Sequence, residues 1–272
     1  GIWGSYYLNE KENKSVFLEK LNTKKFQNLF GTPFYIKDSL VCLPRAGGFQ
    51  TFYYNFKNNQ INCENLKEFP IKKQFNSPND VDYFNHNYYV LFNKESLFKV
   101  NENTGIIEKL KLSLPNKNEL IAERFNVLEP KINSNNTFYL GTAPQGLYEI
   151  NIKTLEAKKI NIDIIPQNDI LNVTKICQHK NGNIWLATEF HGVLFYDAKS
   201  QHWQSLKEND LIANNHIRNL SFIGDSLLTI AINDAFFILN LNNQNFIKIG
   251  SSDGLSDESI PASFHVQKDK IY

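Results

Sequence analysis

GNIWLAT (182–188), a short turn, GVLFYDA (192–198), a second turn, HWQSLK (202–207) and, after a longer polar loop, HIRNLSFIG (216–224) read as four β-strands in a row. Each segment is apolar or alternates apolar with polar residues, and Asn, Asp, Gly and Lys fill the gaps. That is the pattern of short strands, not of a helix with a 3.6-residue period. The same grammar precedes this unit in NTFYLGT (136–142), GLYEINI (146–152), EAKKINI (156–162) and VTKICQHK (173–180). It returns after it in DSLLTIAI (225–232), AFFILNL (235–241), NFIKIG (245–250) and ASFHVQ (262–267). The anchors of the leading strands, Tyr139, Trp185, Leu228 and Tyr272, stand 46, 43 and 44 residues apart. These intervals match the period of about 40–50 residues of a four-stranded propeller blade.

Upstream the pattern continues more loosely. NYYVLF (87–92), SLFKVN (96–101), IIEKLKL (106–112) and RFNVLEPKI (124–132) make one unit. SLVCLP (39–44), FQTFYYNF (49–56), a poorly marked strand near LKEFPI (66–71) and NDVDYFNH (79–86) make another. The first and shortest holds IWGSYYL (2–8), SVFLEKL (15–21), KFQNL (25–29) and PFYIK (33–37). The sequence thus divides into units near 1–37, 38–86, 87–135, 136–181, 182–224 and 225–272. A lone four-stranded sheet cannot bury both faces, whereas radial stacking of sheets buries the faces between neighbours. The expectation is an all-β chain forming a single β-propeller segment of four-stranded antiparallel blades, with about six repeats present. The sequence has no methionine and opens inside what reads as a strand. Both ends are therefore read as cuts within a longer protein, and the segment as a fragment of a seven-bladed or tandem propeller or as a ring of six.

Composition narrows the function. Twenty-nine basic and 28 acidic residues give a formal charge of +1, which leaves no broad electrostatic footprint for nucleic acid. No apolar run approaches the roughly 18 residues of a membrane helix. Cys42, Cys63 and Cys177 lack CxxC spacing; buried free thiols are the plain reading and a Cys42–Cys63 bridge the sharper one. The six histidines show no metal-ligand spacing, and no nucleophile elbow, P-loop or paired-carboxylate motif occurs. No cofactor, metal or catalytic residue is expected. The sequons at Asn13, Asn135, Asn172 and Asn219 are expected by chance in an asparagine-rich chain. Trp185 could stack on a sugar, but it shares its anchor position with Tyr139 and Leu228, so packing between blades is the expected role. Trp203, in an outer strand, is expected to be partly exposed or packed against another domain.

The strand GNIWLAT followed by HGVLFYDAKSQHW (191–203) resembles the two-component-regulator propeller repeat. YLGTAPQGLYEIN (139–151) is similar in its Gly-Thr and Gly-Leu portions, and LIANNHIRNL (211–220) and DGLSDESIPASFHVQKDKIY (253–272) resemble the link from one blade to the next. The resemblance covers about half the chain. It implies the extracytoplasmic, periplasmic sensing region of a bacterial two-component system, answering to an oligosaccharide or similar small ligand. Such a region would have further blades and a histidine kinase or DNA-binding output elsewhere in the protein, and a homodimer among its partners. A non-catalytic scaffold of a cell-surface or secretion machine is the alternative, and a propeller polysaccharide lyase a third.

In a meander, alternate connections share a face. With the GNIW-type strand second in its blade, the turns holding Arg45, Lys94, Glu95, Gln145, Glu189, Phe190, His191, Asn233 and Asp234 emerge on one side. The long loops 113–123, 163–172, 208–215 and 251–261 join them. Loops carried by a rigid scaffold commonly hold binding residues. Arg45, Gln145, Glu189, Phe190, His191, Asn233 and Asp234 are accordingly the ligand-binding candidates.

Overall fold

In the computed structural model the described residues are 6–9, 14–17, 34–37, 40–45, 47–55, 60–71, 78–92, 96–212, 216–233, 235–253, 266–267 and 270–271. β1 (Tyr6–Asn9) and β2 (Lys14–Phe17) form an antiparallel ribbon. Five four-stranded antiparallel sheets follow. The first holds β3 (Phe34–Lys37), β4 (Leu40–Arg45), β5 (Gly48–Asn55) and β6 (Gln60–Pro70), and the second β7 (Asp80–Phe84), β8 (Asn87–Phe92), β9 (Ser96–Asn101) and β10 (Ile107–Leu110). The third holds β11 (Arg124–Pro130), β12 (Thr137–Ala143), β13 (Gly146–Asn151) and β14 (Glu156–Lys159). The fourth holds β15 (Val173–Gln178), β16 (Ile184–Thr188), β17 (Val193–Asp197) and β18 (His202–Ser205). A one-turn helix, α1 (Asn209–Ile212), leads to the fifth, β19 (Asn219–Ile223), β20 (Leu227–Ala231), β21 (Phe236–Asn240) and β22 (Phe246–Ile249). β23 (Val266–Gln267) and β24 (Lys270–Ile271) pair beyond it. KFQNL (25–29) and most of ASFHVQ lie outside the described residues.

Every sheet is a meander whose strands neighbour one another in chain order. Each takes its first strand from the end of the preceding sequence unit, so VTKICQ pairs with IWLAT and not with GLYEIN. Across sheets, the first strands β3, β7, β11, β15, β19 and β23 lie against one another in succession. The sheets therefore stack face to face as propeller-like blades, joined along their first strands.

The second strands are almost continuously apolar because both of their faces are covered. On β8, Tyr88 and Val90 pack with Phe49 and Phe69 of the first sheet. Their neighbours Tyr89 and Leu91 pack the other way, with Phe138 and Leu140 of β12. Tyr139 then joins Leu186 and Leu194 of the fourth sheet, while Trp185 and Ala187 join Leu228, Ile230 and Phe237 of the fifth. The period-2 alternation of side chains turns each middle strand into the shared wall of two adjoining cores. Trp185 is buried and stacks on Phe195 with ring centroids 4.6 Å apart. Trp203 is buried as well, only 5% exposed, which corrects the expectation of partial exposure. Its ring leans on Tyr196 and shares the core between the third and fourth sheets.

Polar side chains fasten β7 to β11 and β11 to β15. Asn79 donates from Nδ2 to the carbonyl of Phe125 at 2.8 Å, and Asn126 does the same to Val173 at 2.8 Å. Asp80 Oδ2 accepts from the Leu128 N–H at 2.8 Å. Gln178 Nε2 donates to the Pro130 carbonyl at 2.7 Å, and its Oε1 accepts from the Ile132 N–H at 3.0 Å. At the closest approach sits Gly141, where a Cβ would fall 2.6 Å from Val127 Cγ1 and 2.8 Å from Val173 Cγ1. Valine is stiff at χ1 and cannot swing its methyl away cheaply. Gly141→Ala is expected to lower stability by about 1–3 kcal/mol through overpacking. Adding Val173→Ala should recover part of that loss in urea unfolding; equal stability of Gly141→Ala and the parent would contradict the close approach.

Candidate functional site

The turns between second and third strands share one architecture. Thr142 Oγ1 donates to the Gly146 carbonyl at 2.9 Å, and Thr188 Oγ1 to the Gly192 carbonyl at 2.8 Å. Both threonines are fully buried, so each hydroxyl closes its turn from inside the sheet. Gly192 adopts a φ of +66°, and a Cβ there would lie 2.5 Å from Asn209 Oδ1. Asn209, at the start of α1, uses the space that glycine leaves: its Oδ1 accepts from the Val193 N–H at 2.9 Å, and its Nδ2 donates to the His191 carbonyl at 3.1 Å.

These clasps hold Glu189, Phe190 and His191 at the crest of the fourth sheet, against the loops that enter the neighbouring first strands. Glu189 Oε2 accepts from Arg124 Nη2 at 2.9 Å and from Asn172 Nδ2. Arg124 opens β11 and Asn172 immediately precedes β15, so one carboxylate ties together the entries of two blades. These donors hold the Glu189 carboxyl below its usual range despite its partial burial. His191 Nε2 lies 3.1 Å from the Ile170 carbonyl and 3.6 Å from Asp169 Oδ2. Phe190 projects outward, 59% exposed.

The other candidates are spread around this centre. Gln145, in the β12–β13 turn, donates from Nε2 to the Ile121 carbonyl at 3.4 Å, and its buried Oε1 has no partner. The backbone beside it joins the same loops, with the Leu171 N–H donating to the Pro144 carbonyl at 3.1 Å. Asn233 Oδ1, in the β20–β21 turn, accepts from Arg218 Nε at 2.7 Å. Arg45 pairs with Glu68 of its own sheet at 3.0 Å. Asp234, Lys94 and Glu95 lie outside the described residues.

The sequence reading placed loop 163–172, which ends at Asn172, on this face, but singled out none of Arg124, Asn172, His216 and Arg218 as a binding candidate. All four sit where a long loop becomes a first strand. Arg124, Asn172 and Arg218 are separated by 48 and 46 residues, close to the repeat interval, and that spacing was the signal available. His216 feels Arg218, Glu189 and Arg124, and burial and the two arginines hold its imidazole below the usual value. Around this polar centre the loop face exposes apolar side chains: Ile121 at 78%, Ile170 at 52% and Leu211 at 60%. A face that mixes exposed apolar and ordered polar groups is suited to binding.

A second polar group lies along the first strands and takes no part in this face. Asp80 and Asp82 on β7 and Glu129 on β11 are pushed upward by burial, Glu129 to about 8, with Lys175 of β15 opposing the shift. Among the described residues no group of His, Cys, Asp and Glu has a metal-binding arrangement. Cys42 and Cys177 are free thiols, and burial raises both; the side chain of Cys63 lies outside the described residues.

The fold can now be set beside known proteins. No family model matches the chain, and no curated protein matches it in sequence. In structure it is similar to the extracellular domain of the hybrid two-component system BT4673 from B. thetaiotaomicron, with a TM-score of 0.67 and 12% identity over 90% of this chain and 33% of that one. It is similar to the extracellular domain of the hybrid two-component system BT3049 from the same organism, with a TM-score of 0.58 and 17% identity over 93% and 33% of the two chains. PorZ, a surface component of the type-IX secretion system of Porphyromonas gingivalis, aligns with a TM-score of 0.50 and 11% identity over 82% and 29%. The chain spans about a third of the length of these structures. At such identities the likeness is one of fold.

The raised carboxyls set a pH dependence. An unfolded Glu titrates near its ordinary value of about 4.3, whereas folded Glu129 holds its proton to about 8. Between those values the folded state binds the extra proton, so this contribution is complete at low pH and is lost as pH rises through the folded value. Thermal unfolding is expected at lower temperature at pH 8.5 than at pH 6, and Glu129→Gln should flatten that slope. An unchanged slope in the variant would remove Glu129 from the account.

Proposed function

We propose that this chain is a signal-sensing run of propeller blades on the extracytoplasmic side of a bacterial envelope. Its loop face binds an oligosaccharide or similar small ligand, and a histidine kinase or DNA-binding output outside this chain receives the signal. The observation that carries this reading is the fold it shares, over nine-tenths of its length, with two extracellular domains of hybrid two-component systems. The succession of first strands from β3 to β23 supports a ring in which the β1–β2 ribbon and the β23–β24 pair belong to further blades. Periplasmic location and homodimer formation come with the same reading.

The action is binding and not chemistry. Phe190 offers an exposed ring to the apolar face of a sugar, beside the ordered polar atoms of Glu189, Asn172 and Arg124. Ligand binding would shift the packing between blades or the geometry of a dimer, since a ligand acts only through a difference in affinity between states. The surface-scaffold alternative rests on the weaker likeness to PorZ and predicts a protein partner in place of a sugar.

Isothermal titration of the protein against an array of oligosaccharides tests the reading. At least one should bind, and Phe190→Ala should weaken it about tenfold, which corresponds to about 1.4 kcal/mol of lost stacking. Unfolding behaviour should be unaltered, because the ring is exposed. Capture of a protein partner with no response to any saccharide would favour the scaffold.

A further inference from the structure

At the centre of the loop face the polar side chains are set around Glu189, with Asp169 3.6 Å from His191 beside it. Arg124 and His216 lie close to one carboxylate, Glu189, which already accepts from Arg124 at 2.9 Å and from Asn172, and Arg218 lies beside His216. Arg218 spends its Nε on the neutral amide oxygen of Asn233 at 2.7 Å, and no carboxylate among the described residues forms an ion pair with it. Its guanidinium is held by a neutral partner, and among the described residues no hydrogen bond occupies its terminal nitrogens.

The backbone brings these groups together. β19 packs against both β15 and β16, so the approach to β19, which holds His216 and Arg218, lies beside the end of β16, where Glu189 follows. Electrostatic coupling of His216 to Arg218, Glu189 and Arg124 agrees with that placement. On the same crest Asn172 is buried and its Oδ1 has no hydrogen-bond partner. A buried acceptor left unmatched is costly, so the base of the crest is short of a donor. Phe190, next to Glu189, supplies an exposed ring.

We infer that this crest is a subsite for an acidic saccharide, with Arg218 and Arg124 receiving a sugar-borne carboxylate or sulfate and Phe190 the ring face. The inference rests on the proposed sensing function and narrows its ligand. Arginine suits the role because its planar fork matches an oxyanion with two parallel hydrogen bonds, which a lysine cannot copy. A neutral sugar would leave the Arg218 fork unmatched, so selectivity follows from the same geometry.

The test uses the protein and a panel of uronate-containing oligosaccharides, their carboxyl-reduced counterparts, sulfated neutral oligosaccharides and unmodified neutral ones. Binding of an acidic member is expected, with at least tenfold loss on carboxyl reduction or desulfation and further weakening in high salt. Arg218→Gln should lower affinity about tenfold while leaving the melting temperature unchanged, and Arg218→Lys should restore only part of it. Arg124→Gln provides a second variant. The uronate and sulfate arms identify which anion is read. Equal binding of charged and neutral forms, or an Arg218→Gln variant that binds as the parent does, overturns the acidic assignment while the sensing function stands. Failure of every saccharide to bind overturns both.

Discussion

The contact between successive first strands is the constraint on which the rest of the structure depends. Each sheet has two apolar faces, and only a neighbour at close range can cover them. That range is set at Gly141, wedged between Val127 and Val173, and it is maintained by Asn79, Asn126 and Gln178 reaching to the next backbone. Hydrophobic burial supplies the attraction, but it is non-directional. The amide latches fix the register, because each satisfies a backbone group that no ladder partner could reach. Together they convert a loose stack of sheets into one of defined pitch.

That pitch places the loop face. Arg124, Asn172 and Glu189 are far apart in sequence, and they meet only because β11 and β15 are held side by side with the β16–β17 turn above them. The crest is thus a property of the joint between blades more than of any one blade. A ligand that touches Glu189 or Arg124 touches two blades at once. Small changes in how the blades pack would alter the spacing of its contacts, which is the physical basis on which binding at a rigid crest could be sensed elsewhere.

Much of this was legible in the sequence. GNIWLAT and NTFYLGT announce strands with both faces buried, and the intervals between Tyr139, Trp185 and Leu228 announce the repeat. The turn at Glu189-Phe190-His191 could be placed on a face by counting strands. Trp203 was misjudged because an outer strand suggests solvent, while the burial of its ring depends on how far the adjoining sheet extends, which periodicity does not record. Arg124 and Arg218 were passed over because their roles arise from partners outside their own loop segments. Glu189 lies 65 residues beyond Arg124, and only the stacking of blades closes that distance. Gly192 was readable as a turn glycine, but Asn209, the side chain that requires it, sits in a helix of a single turn that no pattern marked.

The threonine clasp separates two duties that most loops combine. Thr142 with Gly146 and Thr188 with Gly192 close their turns through a hydroxyl and a carbonyl lying below the surface. The three residues between each pair are then relieved of most responsibility for closing the chain. Ala143, Pro144 and Gln145 in one blade, and Glu189, Phe190 and His191 in the next, are different tripeptides on equivalent frames. Such a frame behaves as an exchangeable cassette. New recognition chemistry can be grafted at a crest, by natural drift or by design, while the sheet beneath it remains unaware of the change.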